Sequence, residues 1–140
     1  MRALLLSIKP RHARNIKGGS KTVELRRVAP KIAGEMLVLI YESSPVMAVT
    51  AMALVSAITC APLDDMWQQH GPATQITKEE YYQYYEGRDR ACALHIERVV
   101  LFPTPFTLEE LRQLNVMQQP PQSYRFLGPQ QFKQLGMASV

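Results

Sequence analysis

Hydrophobic and polar positions change period several times along the chain, and each change marks an element. Ala3 to Ile8 is a short apolar run closed by Lys9-Pro10, the pattern of a buried strand. Pro10 suits the first turn of a helix, where its missing N–H would have no partner anyway. On that helix Ala13 and Ile16 face inward, while Arg11, Arg14 and Lys17 spread over the outer face. Gly18-Gly19 is expected to end it, because a glycine takes the left-handed C-cap without steric penalty. From Lys21 to Arg26 the period becomes two, with Thr22, Glu24 and Arg26 on one side and Lys21, Val23 and Leu25 on the other.

Met36 to Tyr41 predicts a denser strand and Ser43-Ser44-Pro45 a turn. Val46 to Cys60 mixes helix-favouring Ala and Met with strand-favouring Val, Ile and Thr. The turn before it and its two apolar faces favour a long strand. Two short helices are expected next, over about Leu63 to His70 and from Thr77 to Glu86-Gly87, the second opened by Thr77 and Glu80 at capping-box spacing. Trp67 is expected in the core. Ala91 to Phe102 predicts another strand, with Cys92, Leu94 and Ile96 inward. Thr107 and Glu110 repeat the capping box for a helix to about Leu114, Pro120 to Leu127 is extended, and Pro129 opens a last helix to Leu135. About five strands interleaved with short helices, without repeat or linker, predict one α+β domain around a small mixed barrel or sandwich.

Composition adds little to that outline: 140 residues, 46% hydrophobic and 20% charged, describe an ordinary globular chain. The longest weakly polar run, Val46 to Ala61, falls short of the roughly 20 apolar residues a spanning helix needs. The start of the chain lacks the long apolar segment and small-residue site of a secretory signal. Cys60 and Cys92 are therefore expected as buried free thiols in a cytoplasmic protein.

Charge changes the picture more. Residues 1–31 hold nine Lys or Arg against the single acid Glu24, and the remainder holds seven basic and eleven acidic residues, so +8 at the start is set against −4 elsewhere. Positive charge gathered on one segment attracts a polyanion, most commonly nucleic acid.

Candidate chemistry is narrow. His12, His70, His95, Cys60 and Cys92 stand apart without metal-ligand spacing, so no metal or cofactor is expected. Gly18-Gly19 lacks the surroundings of a phosphate loop, and no nucleophile elbow is present. The dense feature is Gly18 to Arg27. There Glu24 and Arg26 share a strand face beside Lys21, either as a salt-bridged edge or as a polar patch in a cleft that binds phosphate. Tyr81, Tyr84 and Tyr85 share a helical face ahead of Arg88 and Arg90, an arrangement that packs a helix or stacks bases. Pro120 to Leu127 covers a sheet edge or closes over a cleft.

The stretch from Leu4 to Arg27, a strand, a helix and then G-x-K-x-x-E-x-R matched by Gly19, Lys21, Glu24 and Arg26, resembles the ASCH domain of the PUA-like superfamily. The resemblance covers about residues 3–102 and leaves residues 103–140 as a C-terminal extension. It implies a PUA-like barrel of five to six strands with short flanking helices, and a cleft beside the first helix that takes RNA or a modified nucleoside. Lys9, Arg11, Arg14 and Lys17 would contact phosphates, Lys21, Glu24 and Arg26 would line the floor, and Tyr41, Ser43 and Ser44 would form a wall. Some relatives of this kind are similar to acetylcytidine amidohydrolases, others to ribonucleases acting on single-stranded RNA. For the first, Lys21 matches the family's lysine while Glu24 and Thr74 stand with threonine and glutamate exchanged. Binding of RNA or a nucleotide is thus the leading expectation, hydrolysis in the same cleft its rival. A protein-interaction adaptor with an unknown partner is a third.

Overall fold

The computed structural model describes residues 3–136; Arg2, counted with the basic segment, lies outside them. Six strands form one mixed sheet in the order β2-β5-β4-β3-β1-β6. In chain order the elements are β1 (Ala3–Ile8), α1 (Pro10–Lys17), β2 (Val23–Arg26), β3 (Met36–Glu42), β4 (Ala48–Pro62), α2 (Leu63–Thr74), α3 (Lys78–Tyr84), β5 (Arg90–Thr107), α4 (Leu108–Gln113), β6 (Tyr124–Leu127) and α5 (Pro129–Gln134).

β1 lies between β3, to which it is parallel, and β6, to which it is antiparallel. Its unbroken apolar run follows from that position. Leu4, Leu6 and Ile8 pack with Ala13 and Ile16 of α1, whereas Leu5 joins Leu108, Leu111 and Val116 on the opposite face. Each such side chain contributes about 1.5–3 kcal/mol through burial, so both faces anchor the strand. A third cluster holds α2 and α3 against β2 through Met66, Tyr81, Tyr85, Val23 and Leu25. Trp67, expected in the core, is half-buried at the margin of that cluster.

The long strand expected over Val46 to Cys60 does form, but from Ala48 to Pro62, with Val46 left in the preceding turn: β4 pairs with β3 on one side and β5 on the other. β5 runs past Phe102 to Thr107 because it follows β4 back to its first residue, pairing Thr107 with Ala48 and Phe106 with Val49. Pro103 and Pro105, which cannot donate to a ladder, fall where the register shifts between Val49 and Ala51, a bulge of the kind that tolerates proline. α2 also exceeds the expected His70, continuing through Gly71 and Pro72 to Thr74. Gly71 permits this because a Cβ there would sit 3.0 Å from the Trp67 ring.

The cysteines correct the sequence reading. Antiparallel register sets Cys60 directly opposite Cys92, 4.1 Å apart at Cα, and the two form a disulfide. Neither is buried: Cys60 is exposed and Cys92 half-buried. A sequence separation of 32 residues does not reveal that two strands will bring the thiols face to face.

β2 and β6 are the sheet's edges, and no backbone ladder joins them among the described residues. The barrel is thus an open one, and side chains span its seam. The stretch beyond residue 102, read as an extension, supplies β6 to the sheet and one wall of the seam. Among the described residues no helix is long and apolar enough to cross a membrane.

Candidate functional site

The seam opens into a cavity of about 1200 Å³, with Lys21, Glu24 and Arg26 on its floor. All three are almost completely buried, at 3%, 8% and 7% exposure. Gly19, at φ +88°, turns the chain from the end of α1 into this segment, a conformation natural to glycine. Lys21 is then tied by its backbone N–H to the Asn15 carbonyl at 3.0 Å, so the helix end fixes the lysine.

Glu24 sits between two cations. Its Oε2 accepts from Arg26 Nη2 at 2.7 Å, and its Oε1 lies 3.6 Å from Lys21 Nζ. Lys21 Nζ also donates to the Thr74 carbonyl at 2.5 Å. Arg26 uses the rest of its fork on the Ser7 carbonyl at 3.1 Å and on Ser123, whose hydroxyl and carbonyl oxygens lie 3.1 and 3.3 Å from Nη1. Among the described residues its Nε has no partner. Glu24 and Arg26 thus form the expected couple, and burial makes it costly: charges withdrawn from water lose several kcal/mol each unless well paired. Two cations against one carboxylate leave this floor with a net positive charge. Burial holds the Lys21 pKa below its ordinary range, with Glu24 opposing the shift.

The other predicted residues divide. Lys9, immediately before α1, and Arg11, in its first turn, line the cavity. Arg11 is ion-paired with Glu80 of α3 across the opening. Tyr41, Ser43 and Ser44 line the cavity too, and burial raises the Tyr41 pKa. Arg14 is exposed but does not line the cavity. Lys17 is also outside it, bound at 2.5 Å to the buried Glu42, which accepts from Thr50 as well. Thr74 is buried, its hydroxyl donating to the Gly71 carbonyl at 2.6 Å, so it presents its backbone rather than its side chain to Lys21.

Sequence reasoning passed over several lining groups. His12 was one of the isolated histidines, yet it lines the cavity with its Nδ1 buried and, among the described residues, unpartnered. Burial chiefly, and then Lys21, lower its pKa from 6.5, with Glu24 opposing, so the imidazole is neutral at pH 7. Its position one residue from Arg11 in a cationic helix was the only available signal. Ser7 and Ser123 are held there by the Arg26 fork, a long-range arrangement without a local signature. The tyrosine face is a packing surface at Tyr81 and Tyr85, both fully buried, whereas Tyr84 reaches the cavity. Among the described residues no group of three or more His, Cys, Asp or Glu is arranged to hold a metal ion.

No family model matches the chain. A curated relative does: the ASCH domain-containing ribonuclease of Zymomonas mobilis is 30% identical over 131 residues, covering 94% of this chain and 88% of that protein. The crystal structure of ASCH from Zymomonas mobilis has a TM-score of 0.90 at 29% identity, covering 96% and 93% of the two chains. A Ser-to-Ala variant of that protein has also been solved and scores 0.89 at 28% identity over 96% and 94%. Human THYN1, solved in complex with 5-methylcytosine containing DNA, shares the fold at a TM-score of 0.58 and 9% identity over 96% and 95%. Likeness over nearly the whole length, in sequence and in fold alike, makes this chain a member of the ASCH domain family.

Proposed function

We propose that this chain binds single-stranded RNA in the seam cavity and cleaves it there, in the cytoplasm. One observation carries the reading: a buried cluster with net positive charge, Lys21–Glu24–Arg26, forms the floor of an open cavity. Such a cluster is poor at stabilising a fold and well placed to meet a phosphodiester. Lys9 and Arg11 at the rim extend the positive field along a strand's backbone. Glu24 holds both floor cations and keeps acceptor capacity for a base amino group. The name of the Zymomonas mobilis relative supports ribonuclease activity.

Cleavage needs a proton acceptor, a proton donor and stabilisation of charge on phosphorus. His12, neutral at pH 7, takes the proton of the ribose 2′-hydroxyl as its oxygen attacks phosphorus. The bond from phosphorus to the 5′ oxygen breaks, and that oxygen takes a proton from the Lys21 ammonium, whose lowered pKa makes it the better acid. Arg26 stabilises the phosphorane, while Tyr41, Ser43 and Ser44 orient the ligand. The products are a 2′,3′-cyclic phosphate and a 5′-hydroxyl. For an acetylcytidine amidohydrolase, Thr74 would have to act, and its hydroxyl is engaged by Gly71.

The test incubates the protein with a short single-stranded RNA and, in parallel, with acetylcytidine, following both by liquid chromatography. Cyclic-phosphate ends that vanish in Lys21→Met, with folding retained, are expected. Released cytidine would replace this reading with deacetylation. Absence of RNA affinity at low salt would remove it.

A further inference from the structure

Outside the floor, one part of the rim is ordered without an evident structural need. Arg27 follows β2 and is exposed, yet its side chain is held at two points. Its guanidinium lies 4.2 Å over the Tyr84 ring, and its Nε donates to the Tyr84 carbonyl at 2.8 Å. Tyr84 is steadied in turn, its ring set edge-on to Tyr85 at 4.8 Å, and Tyr85 is fully buried. Among the described residues Arg27 makes no salt bridge, and its two terminal nitrogens carry no hydrogen bond. Beside it Val28 is 59% exposed, a large apolar side chain left in water, and Arg88 is exposed and has no carboxylate partner among the described residues. Arg27, Val28, Tyr84 and Arg88 line the same cavity as Lys21 and Arg26.

A guanidinium plane fixed on an aromatic ring, with its donors unused and an apolar side chain next to it, suits a flat ligand that carries an anion. Nucleobases stack on arginine planes and aromatic rings in single-stranded RNA recognition. We propose that Arg27, Tyr84, Val28 and Arg88 form a subsite for the nucleotide adjacent to the one at the floor. The neighbouring base stacks on the Arg27 plane with Val28 against its edge, and its phosphate meets Arg88. This rests on the RNA reading above and narrows its substrate to an unpaired oligonucleotide, since a base held in a duplex cannot take the platform and a lone nucleoside cannot reach it.

Titration calorimetry with 2′-O-methyl oligouridylates, which lack the attacking hydroxyl, tests the subsite. Uridine monophosphate, the dinucleotide and the hexanucleotide are compared on wild type, Arg27→Lys and Arg88→Ala. Wild-type affinity is expected to rise from the mononucleotide to the longer strands. Arg27→Lys, which keeps the charge but loses the plane, is expected to lose about tenfold on the hexanucleotide and to leave the mononucleotide unchanged. Equal affinity of Arg27→Lys and wild type for the hexanucleotide would overturn the subsite, as would equal losses on both ligands. A wild-type protein that binds the mononucleotide with no gain in length would overturn the subsite alone. One that binds none of them would overturn the RNA reading with it.

Discussion

Arg26, on the edge strand β2, reaches across the open seam to Ser123, the residue before the opposite edge strand β6, donating to its hydroxyl at 3.1 Å and its carbonyl at 3.3 Å. A side chain thus does at this seam what a backbone ladder does elsewhere in the sheet, and the gap it leaves is the cavity. Arg26→Ala removes that bridge and leaves Glu24 buried with only Lys21 at 3.6 Å. Breaking a buried pair in this way destabilises a fold by about 3–5 kcal/mol. Ser123→Ala keeps the carbonyl contact and is expected to cost about 1 kcal/mol. Urea denaturation with unchanged slope checks both, and equal stabilities for the two variants would deny Arg26 its bridging role.

Thr74 and Lys21 make a second contrast. Lys21 is held by the Thr74 backbone, which survives any change of side chain. Thr74→Val is therefore expected to lose about 1 kcal/mol of stability with its bond to Gly71 and to leave RNA cleavage intact. Lys21→Met should remove cleavage altogether. Single-turnover rates measured on both decide, and a Thr74→Val protein as inactive as Lys21→Met would return the threonine to the chemistry.

The difference between what the sequence carried and what it concealed follows from range. β1, α1 and β2 were legible because apolar period, Pro10 and Gly19 are local, and the floor residues came with them, Lys21 just ahead of β2 and Glu24 and Arg26 on it. The capping boxes at Thr77 and Thr107 were legible for the same reason, each closing over three residues. Ser7, Ser123 and the Cys60–Cys92 bond depend on strand register and on which edges approach, quantities set by the whole sheet. Lys17 and Arg14 looked equivalent to Arg11 in sequence. Only distant parts of the chain separate them: buried Glu42 of β3 holds Lys17 by the far end of α1, and Glu80 of α3 meets Arg11 at the cavity.

That separation can be measured. Arg11 faces the cavity but is held by Glu80, whose pKa is pulled down to about 2, first by the Arg11 hydrogen bond and then by the Thr77 backbone. Glu80→Gln preserves the capping box, since glutamine serves there too, and frees Arg11 for phosphate. RNA affinity at low salt should rise about two- to fivefold, the worth of an exposed pair. Arg11→Ala should reduce the slope of log affinity against log salt by about 0.7, the value for one contact to a single strand, whereas Arg14→Ala leaves it unchanged. An identical loss of slope in the two arginine variants would spread the phosphate track over the outer face of α1.

The proton acceptor gives a pH signature. Burial, followed by Lys21, lowers the His12 pKa from 6.5, and Arg11 adds to the shift while Glu24 and Glu80 oppose it. The reactive form is the neutral ring, so cleavage should hold through pH 7 and fall only as pH drops through a value below 6.5. Stability moves the same way. Below 6.5 the unfolded chain takes up a proton that the folded one resists, so the contribution present above that pH is lost as pH falls through the folded pKa. Arg11→Ala should move the acid limb of the rate profile upward by removing a cation, and His12→Asn should slow cleavage by about 10²–10⁴-fold and erase the limb. An unchanged acid limb in His12→Asn would assign it to another group.

The disulfide allows stability and function to be varied apart. Cys60 and Cys92 join β4 to β5, and no residue of either strand lines the cavity. Opening a loop with a sequence separation of 32 frees the unfolded chain by about 3–4 kcal/mol on the loop-entropy account. For a chain of 140 residues that corresponds to a Tm about 10 °C lower. Dithiothreitol or the double change Cys60→Ala, Cys92→Ala should produce this shift, while RNA affinity at 25 °C stays at the oxidised value because the floor and rim are built from other elements. The reducing cytoplasm keeps thiols open, so a chain working there must function without the bond. Loss of RNA affinity on reduction would instead tie the site to the β4–β5 pairing and place the working protein in an oxidising compartment.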